Sequence, residues 1–161
     1  MLIRDEQPVD AAALHALTVA AFGRAAEADL VDALRRDGDG VISLVAVAEG
    51  AVVGHVLLSR MSAPFRALGL APVSVAPGRQ RAGLGSRLIG AALDRAREGG
   101  WEGVFVLGEP DYYRRFGFDP ALAGGFASPY AGPYLMAMAL QGGLPARRGR
   151  IGYAPAFAAL G

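Results

Sequence analysis

Between residues 73 and 86 the chain reads Val73-Ser74-Val75-Ala76-Pro77-Gly78-Arg79-Gln80-Arg81-Ala82-Gly83-Leu84-Gly85-Ser86. Residue types and order here are those of a phosphate grip. A strand-forming run leads into a basic, glycine-bearing turn, and the turn opens directly into an amphipathic stretch beginning at Leu84. The first backbone N–H groups of a helix have no partner within it, and the aligned peptide dipoles leave partial positive charge there. Gly83 and Gly85 carry no Cβ, so an anion can come close to those amides, and Arg79 and Arg81 add full charges beside them. The chemistry this favours is the binding of a pyrophosphate.

Three nucleotide loops share this general pattern. A Walker loop ends in Gly-Lys-Ser/Thr, and the chain has no lysine. The dinucleotide fingerprint Gly-x-Gly-x-x-Gly needs glycine at position 88, where Leu88 stands, although Glu109 does follow a later strand. The third pattern, Gln/Arg-x-x-Gly-x-Gly/Ala, is met by Gln80, Gly83 and Gly85. At this point the chain resembles the GNAT N-acetyltransferase superfamily, whose signature for the pyrophosphate of coenzyme A lies between the fourth strand and the third helix. A second segment, Tyr112-Tyr113-Arg114-Arg115-Phe116-Gly117-Phe118, resembles the family's Phe-Tyr-x-x-x-Gly-Phe stretch after the fifth strand. The run Gly108-Glu109-Pro110-Asp111-Tyr112-Tyr113 resembles a prokaryotic branch whose substrates are undefined.

The resemblance implies acetyl-CoA as cofactor and a primary amine, on a small molecule or a peptide, as acceptor. It places Gln80, Arg81, Ala82, Gly83, Leu84, Gly85 and Ser86 on the pyrophosphate, and Val73, Ser74 and Val75 along pantetheine and the thioester. It also implies that the fourth and fifth strands splay apart to admit pantetheine. Pro72 supports this from the sequence itself, since a proline cannot donate to a sheet ladder. A free N–H near Val75 would then stabilise the oxyanion formed during transfer. With no cysteine to carry an acyl group, the expected route is direct attack.

Two protons must move. An amine of pKa ~10.4 costs roughly 4.6 kcal/mol to deprotonate at neutral pH, and the departing thiolate must gain a proton. The family match makes Tyr113 the acid, with Tyr112 the adjacent alternative. For the base, Glu27, His55, Glu109 and a water relay stay open, with Glu27 taken as the leading side chain. His15 reads as a surface helix residue. Many relatives carry an asparagine after the fifth strand that contacts the cofactor. This chain has none, and Glu109-Pro110-Asp111 fills that region. A missing amide and an undefined base also fit a different class of protein, a non-catalytic CoA-binding or sensor module.

These residues need a scaffold, and hydrophobic periodicity supplies one. Strands are expected at 2–4, 41–48, 51–61, 68–75, 104–107 and 134–140. Helices are expected at 10–22, 27–36, 84–98 and 111–115. Helix 84–98 is the clearest, with Leu84, Leu88, Ala92 and Ala96 stepping by four while Arg87, Asp94 and Arg95 line the other face. Glu49-Gly50 reads as a two-residue hairpin turn. The order β-α-α-β-β-β-α-β-α-β gives an α/β fold, a mixed sheet with helices on its faces. The resemblance makes this the GNAT fold, mostly antiparallel and covering 1–161 as one domain. It builds the acceptor pocket from the first two helices and the loops 61–68 and 124–133, with Glu27, Asp29 and Asp32 available to hold a cationic amine. It also implies that homodimers are common.

Composition narrows the alternatives. The chain has 161 residues, 53% of them hydrophobic and 19% charged, which fits a globular domain. Sixteen basic against fifteen acidic residues leave a net charge of +1, so no nucleic-acid partner is expected. No apolar run approaches the ~20 residues of a membrane span, and residues 1–7 lack a signal-peptide core, so the cytoplasm is the expected location. Every basic residue other than histidine is arginine. The protein therefore has no lysine side chain of its own to modify.

Overall fold

The computed structural model describes residues 1–160. Strand β1 (Leu2–Asp5) is followed by helices α1 (Ala11–Phe22) and α2 (Ala26–Asp37). Strands β2 (Gly40–Ala48), β3 (Ala51–Arg60) and β4 (Ala67–Val75) form a meander, and α3 (Leu84–Glu98) crosses over to β5 (Gly103–Leu107). Short elements complete the chain: α4 (Pro110–Tyr113), α5 (Pro120–Ala123), β6 (Phe126–Ala127), β7 (Leu135–Ala139), β8 (Gly149–Arg150) and a 3-10 turn at Pro155–Leu160.

Six strands pair in the order β1-β2-β3-β4-β5-β7. Every neighbouring pair is antiparallel except β4 and β5, which the α3 crossover makes parallel. The fold is the expected α/β arrangement, a mixed and mostly antiparallel sheet flanked by helices. The β2–β3 hairpin turns on Glu49 and Gly50, with φ of 53° and 78°, the left-handed pair that a two-residue turn demands.

Helix α3 buries the predicted stripe of Leu84, Leu88, Ile89, Ala92, Leu93 and Ala96 against one face of the sheet. Helices α1 and α2 cover the other face, where Leu14 and Leu17 meet Val45 and Leu30, Val31 and Leu34 meet Leu57. Phe65, Phe105 and Phe126 pack edge and face at 5.3–6.2 Å between centroids and fill the far end.

The feature that prepares a site is the failure of β4 and β5 to stay together. They pair only through Ala67, Leu68 and Gly69, opposite Gly103, Val104 and Phe105. Beyond that point β4 carries one extra residue against β3, since Val56 faces Val73 while Leu58 faces Leu70. Pro72 sits in this bulge, where its missing N–H interrupts no regular pair. β4 then continues along β3 to Val75 and leaves a gap beside β5.

The expected helix at 111–115 is divided. Regular helix ends at Tyr113, Arg114–Phe116 tighten into a 3-10 turn, and Gly117 stops it at φ 103°. Elements α5, β6, β8 and the last 3-10 turn were not expected. Two-residue strands are too short to show a period. The start of α5 did carry a signal, because the Asp119 carboxylate accepts from the Ala121 N–H ahead of Pro120, an ordinary helix start.

Candidate active site

Backbone geometry builds the first half of the site. Ala76 N–H donates to Val53 O at 2.9 Å, closing a hydrogen-bonded pair at the end of β4. Antiparallel ladders alternate, so Ser74 also bonds to β3, while the N–H groups of Val73 and Val75 point to the opposite, open edge. The Val75 carbonyl shares that direction and accepts from Gln80 Nε2 at 3.1 Å. Gln80 thus ties the basic turn back onto the strand it leaves.

The turn then enters α3 through two left-handed residues, Arg81 at φ 69° and Gly83 at φ 80°. Glycine bears that conformation without strain, whereas Arg81 holds it at a cost of order 1 kcal/mol or more. Leu84, Gly85 and Ser86 follow as the first helical residues, with amides that have no partner inside the helix. A Cβ built on Gly85 would stand in the cleft, 3.8 Å from Tyr112 Oη and 3.8–3.9 Å from the methyls of Val75 and Val73. The protein itself leaves room for it, so the small residue keeps the amides open rather than relieving a clash.

These groups surround a cleft of about 510 Å³. Val73, Val75, Gln80, Arg81, Gly83, Leu84, Gly85 and Ser86 all line it, as does Arg79. Two predicted residues do not. Ala82 is exposed beside the cleft, and the Ser74 side chain alternates to the back of β4, where it is 1% exposed. Four lining residues were not anticipated there, Ala21, Phe22, Tyr112 and Arg115. Tyr112 bonds Ser86 Oγ through its hydroxyl at 2.8 Å, and Arg115 stacks its guanidinium 4.4 Å from the Tyr112 ring centre. Phe22, the last residue of α1, is 41% exposed, and an apolar side chain ending a helix without entering the core is the signal that would have found it.

A second cleft, about 310 Å³, lies across the open edge of β4. It is lined by Glu27, Leu30, Pro72, Leu107 and Tyr113, and it meets the first cleft at Phe22 and Val73. Tyr113 is held by contact. Its ring lies on Gly108, where a Cβ would come within 2.3 Å of Cε2, and it meets Tyr112 and Phe118 edge-on at 5.0 and 5.8 Å. Burial pushes the Tyr113 phenol up from its ordinary value and keeps it protonated. Tyr112 and Tyr113 thus face different clefts.

The base candidates separate in the same way. Glu27 is buried in the second cleft and is gripped by Arg24 through both carboxylate oxygens, with Nε at 2.9 Å. That pairing holds its carboxyl below the usual range. His55, on β3, is wholly buried and lines neither cleft. Ser43 donates to Glu6 at 2.5 Å and so accepts from His55 Nε2 at 2.7 Å. Burial pushes the imidazole down to about 4. Glu109 is exposed outside both clefts, and its carbonyl receives the N–H groups of Tyr112 and Tyr113 at 3.1 Å. Asp29 and Asp32 also fall outside. Asp29 is exposed, and Asp32 pairs with His15 at 2.8 Å and Arg35 at 3.1 Å on the outer face of the helices. Loop 61–68 contributes Met61 and Phe65 to the core instead of the pocket.

Residues 11–118 match the sequence model of the Acetyltransferase (GNAT) family. The chain is 39% identical over 133 residues to the Escherichia coli protein named uncharacterized N-acetyltransferase YjhQ, covering 77% of this chain and 73% of that one. It is 41% identical over 125 residues to uncharacterized N-acetyltransferase YhbS of the same organism, covering 75% of each. Its structure is similar to the crystal structure of E. coli YhbS in complex with CoA, with TM-score 0.90, 32% identity and coverage of 99% and 93%. It is also similar to a Brucella melitensis GNAT acetyltransferase solved with acetyl-CoA, with TM-score 0.83, 36% identity and 97% of both chains covered.

Proposed function

The chain belongs to the GNAT acetyltransferase family, and we propose that it transfers an acetyl group from acetyl-CoA to a primary amine by direct attack. One observation carries the reading: a basic cleft edged by unpaired helix amides runs without a break into a gap between strands that ends on a protonated tyrosine. The residues present fit the cofactor. Free amides at Leu84, Gly85 and Ser86, with Arg79, Arg81 and Arg115 around them, suit its phosphates. The open edge of β4 suits an amide-bearing arm such as pantetheine. Bound there, acetyl-CoA supplies an acyl group activated as a thioester.

The chain's own groups do the rest. The N–H groups of Val73 and Val75 donate toward the thioester oxygen and stabilise negative charge as it develops there. The amine nitrogen forms the amide bond as the C–S bond breaks. Tyr113 donates its proton to the departing sulfur and recovers one from solvent. Glu27, ionised and anchored by Arg24, holds the incoming ammonium by charge, and the amine's proton leaves through water. His55 and Glu109 take no part. No described helix is long and apolar enough to cross a membrane.

The test is release of CoA thiol from acetyl-CoA across a panel of amines, with mass spectrometry of the products. Acetylated amine in step with thiol release is the expected result. Tight CoA binding with no release on any amine would leave the non-catalytic module as the better account.

A further inference from the structure

The cleft that holds Glu27 and Tyr113 does not end there. It shares Leu70, Ala71, Leu107 and Leu160 with a further cavity of about 270 Å³, whose far wall is Tyr130, Tyr153 and Phe157. The three rings form a continuous surface, with centroids 5.7 Å apart for Tyr130–Tyr153 and 5.1 Å for Tyr153–Phe157. Tyr153 lies against Gly69 of β4, where a Cβ would come within 2.6 Å of its ring, and burial pushes its phenol up from the ordinary value. Among the described residues lining either cavity, Glu27 is the only carboxylate, and Arg24 already pairs with it.

From this lining we infer that the acceptor is a monoamine with an aromatic or similarly flat apolar body, its ring seated among Tyr130, Tyr153 and Phe157 and its nitrogen directed toward Tyr113. This rests on the transfer reading above and names the substrate class for it. Size permits it, since an apolar cavity of about 150 Å³ already takes a benzene ring. Charge favours it over a polyamine or a basic peptide. A second cation would find no second anion in the pocket, and the one present is already paired with Arg24. Geometry favours an acceptor over a long acyl chain on the cofactor, because the aromatic cavity is continuous with the carboxylate that suits an amine.

The experiment compares 2-phenylethylamine with ethylamine and 1,4-diaminobutane, using acetyl-CoA and following CoA release. The ring should raise kcat/KM roughly 10- to 100-fold over either comparator, the worth of burying one aromatic side chain. Tyr130→Ala and Phe157→Ala should bring that ratio below about threefold and leave the KM for acetyl-CoA unchanged. Phe157 also packs against α2, so Tyr130, half-buried on a loop, is the variant that keeps the fold. Saturation-transfer NMR of 2-phenylethylamine on the CoA-loaded protein reads the pocket independently of turnover, with a ring signal expected in the wild type and lost in Tyr130→Ala. Equal use of 1,4-diaminobutane, absence of the ring signal, or a Tyr130→Ala effect on butyryl-CoA against acetyl-CoA with amine preference unmoved would each overturn the inference. If the ring signal appears but no amine releases CoA, the transfer reading fails and the pocket assignment stands.

Discussion

The two sides of the β4 edge present different physics to a ligand. On the proposed cofactor side the cleft offers backbone amides and arginines. Leu84, Gly85 and Ser86 offer N–H groups whose positions follow from the helix itself, and Gln80 fastens the turn to Val75. On the proposed acceptor side the cavity is lined by side chains brought from four separate places: Glu27 from α2, Tyr113 from α4, Tyr130 from a loop and Phe157 from the last turn. A backbone-built site needs only glycine and charge at fixed spacing. A side-chain-built site needs the whole fold. The first is therefore general to a cofactor, and the second is free to vary with the acceptor.

The hardest test of this division sits at its boundary. Tyr113 faces the acceptor cleft and Tyr112 the cofactor cleft, one residue apart. Phenylalanine fills the Tyr113 site without the proton, and acid assistance is typically worth about 10²–10⁴-fold. Tyr113→Phe should lower kcat by that range with CoA affinity intact. Tyr112→Phe should leave kcat nearly unchanged and weaken CoA modestly, because it removes the hydroxyl bonded to Ser86. Steady-state kinetics with calorimetry of CoA separates the two. A larger kcat loss in Tyr112→Phe would reverse the assignment.

The neighbouring strand β3 sharpens the comparison by exclusion. His55 has the residue type of a base but belongs to neither cleft, so pH should act through it on stability and not on rate. Its folded value is depressed to about 4 from an ordinary 6.5 by burial. Between those values the unfolded chain binds a proton that the native state refuses, so stability rises with pH across the window and is complete above it. The term is about 3 kcal/mol at most, lost as pH falls from 6.5 toward 4. Thermal melts of wild type and His55→Gln over that range should show the flatter slope in the variant. An inflection of kcat/KM that vanishes with His55 would return it to the mechanism.

The same division explains what was legible in the sequence. Helix α3 ends where its stripe of four-residue steps and the pair Gly99-Gly100 require, and the Pro72 bulge was visible as a proline inside a strand. Eight of the ten predicted cofactor residues line one cleft, because a motif of consecutive residues carries its own geometry. The Ser74 side chain lies outside that cleft because strand alternation sends it to the back, and Ala82 because the turn leaves it exposed. The acceptor side was hidden for a different reason. Asp29 and Asp32 share a helix with Glu27, yet a 3.6-residue period turns them outward while Glu27 faces in. Tyr153 and Phe157 come from a segment with no period to read.

Within the cofactor cleft, Gly85→Val is a cleaner probe than Gly83→Val. A side chain at Gly83 would also meet the strain of φ 80°, whereas Gly85 is in ordinary helix and its Cβ would meet only ordinary van der Waals contacts at 3.8–3.9 Å. Losing one charge-assisted contact costs about 1.5–3 kcal/mol, so CoA affinity should fall roughly 10- to 100-fold with Tm unchanged. That affinity should also weaken with added salt, because exposed arginines meet phosphates. Acceptor KM should move with neither. Full CoA affinity in Gly85→Val would sink the phosphate-loop assignment.

The smallest effect is expected at Glu27, and its smallness is informative. A free carboxylate acting as base would lose several orders of magnitude on conversion to glutamine. Here Arg24 holds the carboxyl below its usual range, which keeps it charged but makes it a poor resting place for a proton. Glu27→Gln removes only the attraction for the ammonium and frees Arg24, which is largely exposed and swings into solvent. Because Arg24 already offsets the carboxylate's charge, its loss should cost the ammonium only ~1 kcal/mol, so kcat/KM for the amine should drop no more than about fivefold. The change should appear in acceptor KM, with kcat and CoA affinity held. Its pH profile should keep rising toward the acceptor's own pKa in both proteins, as expected when water takes the proton. A loss of CoA binding would put Glu27 on the cofactor side of the edge. A hundredfold loss of kcat with a vanished acid limb would make it the base, and Arg24 would then be a switch rather than an anchor.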